Sequence, residues 1–76
     1  MNIDFKLVRT MRGFSQKRLS KEFKVSQQFI SKLDTRTGIT EKLYNEYFKK
    51  LLNMLDEHEL EILEAHGLKV EELENG

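Results

Sequence analysis

A chain of 76 residues with 13 basic and 13 acidic groups, four glycines, no cysteine and no proline is one small domain, near the lower limit for a single unstapled core. The missing cysteines exclude disulfides and thiolate metal sites. No apolar run is long enough for a signal peptide or a membrane span, so a soluble cytoplasmic protein is expected.

The neutral total conceals a division. Residues 1–36 hold nine basic against three acidic groups, and residues 37–76 hold four against ten. A polyanion would attract the first half and repel the second, which orients the molecule on approach.

In chain order, five or six short helices are expected. The first runs from about Ile3 to Arg12, is capped by Asn2 or Asp4, and stops at Gly13, a residue at ease in the left-handed region. Ser15 caps a second helix through about Phe23, and "KVS" makes a tight turn. Ser26 caps a third helix that ends near Thr35, and "TRTG" forms a loop closed by Gly38. Thr40 caps a fourth, with Leu43, Tyr47, Phe48, Leu51, Leu52 and Leu55 at helical spacing. Asp56 followed three residues later by Glu59 is a helix-start signal. The fifth helix then carries Leu60, Ile62 and Leu63 and stops at Gly67, while "LKVEEL" adds a last turn or two. Helices four and five are either separate or one bent rod.

The second and third helices carry the chemistry. Leu19 and Phe23 share one face, as do Ile30 and Leu33. Two amphipathic helices joined by about three residues bury both faces only by crossing steeply, as a helix-turn-helix. Burying Ile30 and Leu33 turns Gln27, Gln28, Ser31 and Lys32 to solvent. A glutamine amide sets a donor beside an acceptor, matching the N6 and N7 edge of adenine in the major groove. Free amides at the two helix starts, with Ser15, Gln16 and Ser26 beside them, suit phosphate oxygens. Lys17 and Arg36 add positive charge for the same backbone.

The segment "FSQKRLSKEFKVSQQFISKLD", Phe14 to Asp34, resembles the helix-turn-helix of the lambda-repressor-like family, the repressor and Cro type. The likeness lies in the serine–glutamine start, the Leu19–Ser20 pair, the Val25–Ser26 turn, and Ile30 and Leu33 before an acidic Asp34. Upstream, "FKLVR" resembles that family's first helix. Together they cover roughly residues 3–40. The resemblance implies an all-α, lambda-repressor-like fold, base contacts by Gln27, Gln28 and Lys32, and phosphate contacts by Gln16 and Ser26. It also implies a structural pair between Arg9 and Asp34 that sets helix one against helix three.

Three departures stand out. Lys24 occupies the turn position where the family usually has glycine, at a cost of ~1 kcal/mol if the residue takes a positive φ. Lys17 and Arg18 replace acidic residues that suit the helix dipole. Phe29 is large where small polar residues are frequent, and is expected in the core or a dimer seam, with a thymine-methyl contact as the alternative.

Residues 1–39 thus read as the DNA-binding part, and residues 40–76 as helices completing the core and joining two copies. The apolar surplus of the second half (Leu51, Leu52, Met54, Leu55, Leu60, Ile62, Leu63) is expected to be buried against a second copy. A two-fold dimer would set its recognition helices roughly 34 Å apart and demand a palindromic site in double-stranded DNA. The expected function is a sequence-specific transcriptional regulator, a repressor of a bacterial, phage or mobile-element operon. The rival is a protein-interaction module, or an antitoxin-like adaptor, using the acidic C-terminal half. His58 and His66 lack a third strong ligand and tight spacing, so no metal is expected. No cofactor is implied, and with no nucleophile–base arrangement or phosphate loop an enzyme is not expected.

Overall fold

The computed structural model describes residues 3–70 and Leu73. Among them are five α-helices and no strand: α1 (Phe5–Met11), α2 (Gln16–Phe23), α3 (Gln27–Thr35), α4 (Glu41–Leu52) and α5 (Glu57–Ala65). Each begins at a capping side chain that accepts from a first-turn amide: Asp4, Ser15, Ser26, Thr40 and Asp56. The alternative first cap, Asn2, lies outside the described residues, as do Glu71 and Glu72 of the expected last turn.

Helices α4 and α5 are separate. Asp56 and Glu59 close a reciprocal capping box, Asp56 Oδ1 accepting from the Glu59 amide at 2.7 Å and Glu59 Oε1 from the Asp56 amide at 3.1 Å. Before it, Met54 and Leu55 donate to the carbonyls three residues back, which tightens the end of α4.

Every helix contributes to one core. Phe5 and Val8 come from α1, Leu19 from α2, Ile30 and Leu33 from α3, Tyr44, Phe48, Leu51 and Leu52 from α4, and Leu63 from α5. Phe14 and Leu68 join from the connecting segments. Helix α3 packs on both α2 and α1, and α1 also packs on α4.

The expected stripe of α4 keeps Phe48, Leu51 and Leu52 in the core and differs at its first position. Leu43 is exposed, and Tyr44 is buried in its place. The phenol makes this possible: its oxygen accepts from the Phe5 amide at 3.0 Å, so one bond satisfies a buried hydroxyl and an orphan amide of α1. Tyr44 also meets Phe48 edge-on at 5.7 Å.

The apolar surplus of the second half is largely absorbed within the chain, contrary to the expectation of a second copy covering it. Leu51, Leu52 and Leu63 are buried, and Met54, Leu55 and Leu60 are half-buried against the core. Of that group Ile62 alone is a large exposed hydrophobic.

Candidate nucleic-acid interface

Helices α2 and α3 are joined by Lys24, Val25 and Ser26. Lys24 ends α2 in the left-handed region, at φ 57° and ψ 46°, with its amide donating to the Ser20 carbonyl. The Val25 amide donates to the same carbonyl at 3.0 Å. A left-handed residue is what lets so short a turn reverse the chain, and lysine carries a steric penalty there that glycine does not.

At the start of α3, Ser26 Oγ accepts from the Phe29 amide at 3.0 Å. Ser15 does the same for α2, accepting from Arg18 at 3.0 Å. Both serines are exposed caps, and the earlier amides of each first turn have no intrahelical acceptor. Ile30 and Leu33 anchor α3 in the core with no exposed surface at all.

The opposite side carries the polar set. Gln27, Gln28 and Lys32 are exposed and Ser31 is half-buried. Among the described residues neither glutamine amide has a hydrogen-bond partner. The Lys32 stem runs against Gly38 of the α3–α4 loop, so its ammonium extends from the loop side of α3. Phe29 is half-buried and meets the Tyr47 ring edge-on at 4.8 Å, with Phe23 5.8 Å from the same ring. Its ring therefore braces α3 against α4.

Gln16 is placed differently from an outward phosphate ligand. Its Nε2 donates to Asp34 Oδ2 at 2.9 Å. The second amide hydrogen and the amide oxygen remain for an outside partner. Asp34 is shared: Arg9 reaches its two oxygens through Nε at 3.0 Å and Nη2 at 2.7 Å, and Arg9 Nη1 donates to the Phe14 carbonyl at 2.8 Å. This network joins α1, the start of α2 and the end of α3.

The cations divide into engaged and open groups. Arg36, the C-terminal cap of α3 at φ 55°, holds its guanidinium 4.3 Å from the Tyr44 ring centroid. Arg18 and Arg12 both lie over Phe14, at 4.6 and 5.3 Å. These stacks direct planar guanidinium groups and leave the Arg18 and Arg36 charges in place, while Arg12 is paired with Glu59 at 2.9 Å. Lys17 beside Ser15, and Lys21 and Lys24, are exposed. The Arg36–Tyr44 stack was not legible in the sequence, since it depends on Tyr44 rather than Leu43 facing inward.

His58 and His66 are both exposed on the far element, α5 and its cap. Among the described residues no helix is long and apolar enough to cross a membrane. No family model, curated protein or solved structure matches the chain.

Proposed function

We propose that the chain is a sequence-specific double-stranded DNA-binding regulator of the lambda-repressor-like kind, a repressor that sets α3 of each copy of a two-fold dimer into the major groove. The observation that carries this reading is the state of Gln27 and Gln28. Two adjacent amides stand exposed and unengaged at the tip of a helix whose other side is locked into the core. Amides carried on an anchored helix but free of internal partners can each pair with an adenine edge, while Lys32 and Ser31 add donors further along the helix. Ser15, Gln16, Ser26 and Lys17 surround the two helix starts, where amides and positive charge favour phosphate. Arg36, at the other end of α3 and stacked on Tyr44, is a further phosphate candidate in this reading. The surplus of positive charge in residues 1–36 supplies the salt-dependent share of affinity.

Selection of the purified protein on a randomised duplex library, followed by sequencing of the retained DNA, tests this reading. A two-fold-symmetric motif with half-sites one helical turn apart is expected. Retention with no motif would overturn it and favour the rival reading, a protein-interaction module. That rival draws on the acidic second half, where residues 37–76 hold ten acidic against four basic groups.

A further inference from the structure

Among the described residues the buried polar and charged side chains are Arg9 and Asn45. Arg9 is satisfied by Asp34 and the Phe14 carbonyl. Asn45 is 5 % exposed, and among the described residues its side-chain amide has no hydrogen-bond partner. No fully enclosed side-chain nitrogen or oxygen there lacks a partner, so the Asn45 amide itself is what reaches open space. It lines a pocket of about 340 Å³ bounded by the start of α1, the end of α3, α4 and the segment after α5. An amide so placed costs stability, because it has left water without gaining an internal bond. An apolar side chain would carry no such cost.

We infer that this pocket binds a free α-amino acid with an apolar side chain, held by Asn45 and Arg36. The lining carries both signs of charge. Arg36 contributes its guanidinium, whose face lies on the Tyr44 ring at 4.3 Å. Its N–H edge has no acceptor among the described residues, and such an edge matches a carboxylate fork to fork.

Asp4 and Glu41 line the same pocket. Asp4 uses one oxygen on the Leu7 amide at 2.8 Å, and Glu41 has no ion-pair partner among the described residues. An ammonium group offers a partner to both. Glu41 and Asn45 are four apart on α4, so they share a face. The Asn45 amide can donate to a carboxylate and accept from an ammonium.

Other occupants fit less well. A simple anion would meet two carboxylates, and a simple cation would meet the guanidinium. Ile3, Phe48 and Leu68 supply apolar wall for a side chain. The volume lies at the lower end of the roughly 300–1,000 Å³ of pockets that enclose small molecules. Arg36 is common to this pocket and to the proposed phosphate contacts, but the binding argued from the pocket needs neither DNA nor a second copy.

The test is titration of the isotope-labelled full chain with leucine, isoleucine, methionine and phenylalanine, each at millimolar concentration, followed by NMR. Saturable shifts of the Asn45 side-chain amide and the Arg36 Nε–H signals are expected for at least one of them, with the Gln27 and Gln28 amides unmoved. Absence of such shifts with all four would overturn the inference. The matching α-keto acid and decarboxylated amine each lack one charge and should bind at least about tenfold more weakly. Equal binding of either would overturn the assignment of a zwitterion. Asn45→Leu and Arg36→Gln should each weaken binding at least about tenfold, with circular dichroism establishing that each remains helical. Arg36 is exposed, so Arg36→Gln carries the test if Asn45→Leu unfolds the chain. Native affinity in either folded variant would overturn the site.

Discussion

Arg9 and Asp34 meet fork to fork across 25 residues of chain, at 3.0 and 2.7 Å, with 10 % and 4 % of their side-chain surfaces exposed. So dry a pair persists only when its remaining donors and acceptors are also met, and here the Phe14 carbonyl and the Gln16 amide meet them. The pair fixes the end of α3 against α1, and so fixes the direction of the glutamine tip. Arg9→Ala or Asp34→Ala should each cost ~3–5 kcal/mol by stranding the other charge, a large share of the ~5–15 kcal/mol that holds a domain folded. Replacing both together by Met and Leu should cost far less than the sum, since no charge is then stranded. Urea unfolding of the four proteins measures this. Single variants within about 0.5 kcal/mol of native would show that the pair is idle.

Tyr44 links stability to alkaline pH. Burial raises its pKa above the ordinary 10.0, ahead of the opposing effects of the Phe5 amide and the Arg36 charge. The folded chain therefore holds the neutral phenol, and the unfolded chain ionises first. This contribution is whole below pH 10 and is lost as pH rises through the folded-state value. Tyr44→Phe strands the Phe5 amide and should cost ~1–3 kcal/mol at neutral pH. The gap between native and variant should narrow as pH is raised above 10. Melting curves across that window test the sign, and a constant gap would mean that the phenol does not titrate with folding.

The polar punctuation of this chain was legible and its packing was less so. Ser15, Ser26, Thr40 and Asp56 each start the helix expected of them, because a cap is a local bond between a side chain and an amide three residues on. The Arg9–Asp34 contact was legible only through a family pattern, since nothing local joins residues so far apart. The choice of Tyr44 over Leu43 was not legible. Both fit a helical stripe within one residue, and the decision is made by the Phe5 amide on another helix. The engagement of Gln16 with Asp34 was hidden for the same reason. The second-half apolar residues read as surplus because α4, the segment after it and α5 all turn them onto one core with α1 and α3, a contact that no local pattern announces.

Lys24→Gly should stabilise the fold. Lys24 is held at φ 57°, where a side chain crowds the backbone and glycine does not. The relief is offset in part by the greater freedom of glycine in the unfolded chain. A net gain of ~0.5–1 kcal/mol in urea unfolding is expected, with no change in the α2–α3 turn. A loss of stability would mean that the lysine side chain contributes more here than its backbone conformation costs.

Gln16, Gln27 and Gln28 separate architecture from readout. Gln27 and Gln28 are exposed and unengaged among the described residues, so Gln27→Ala and Gln28→Ala should leave stability within about 0.5 kcal/mol of native. On a selected duplex, each should lose ~1–3 kcal/mol of discrimination at one base position, if it makes a good bidentate contact. Gln16→Ala removes a donor to Asp34 and should cost ~0.5–1.5 kcal/mol of stability. In the phosphate-contacting role proposed for it, its effect on binding should be spread over all sequences, because such a contact carries no base information. Lys17→Ala, beside Ser15, should weaken binding uniformly and lower the slope of affinity against salt by about one. These four variants are compared by competition with single-base-substituted duplexes at two salt concentrations. Discrimination retained by Gln27→Ala and Gln28→Ala alike would remove the tip of α3 from the reading surface, whatever the affinity.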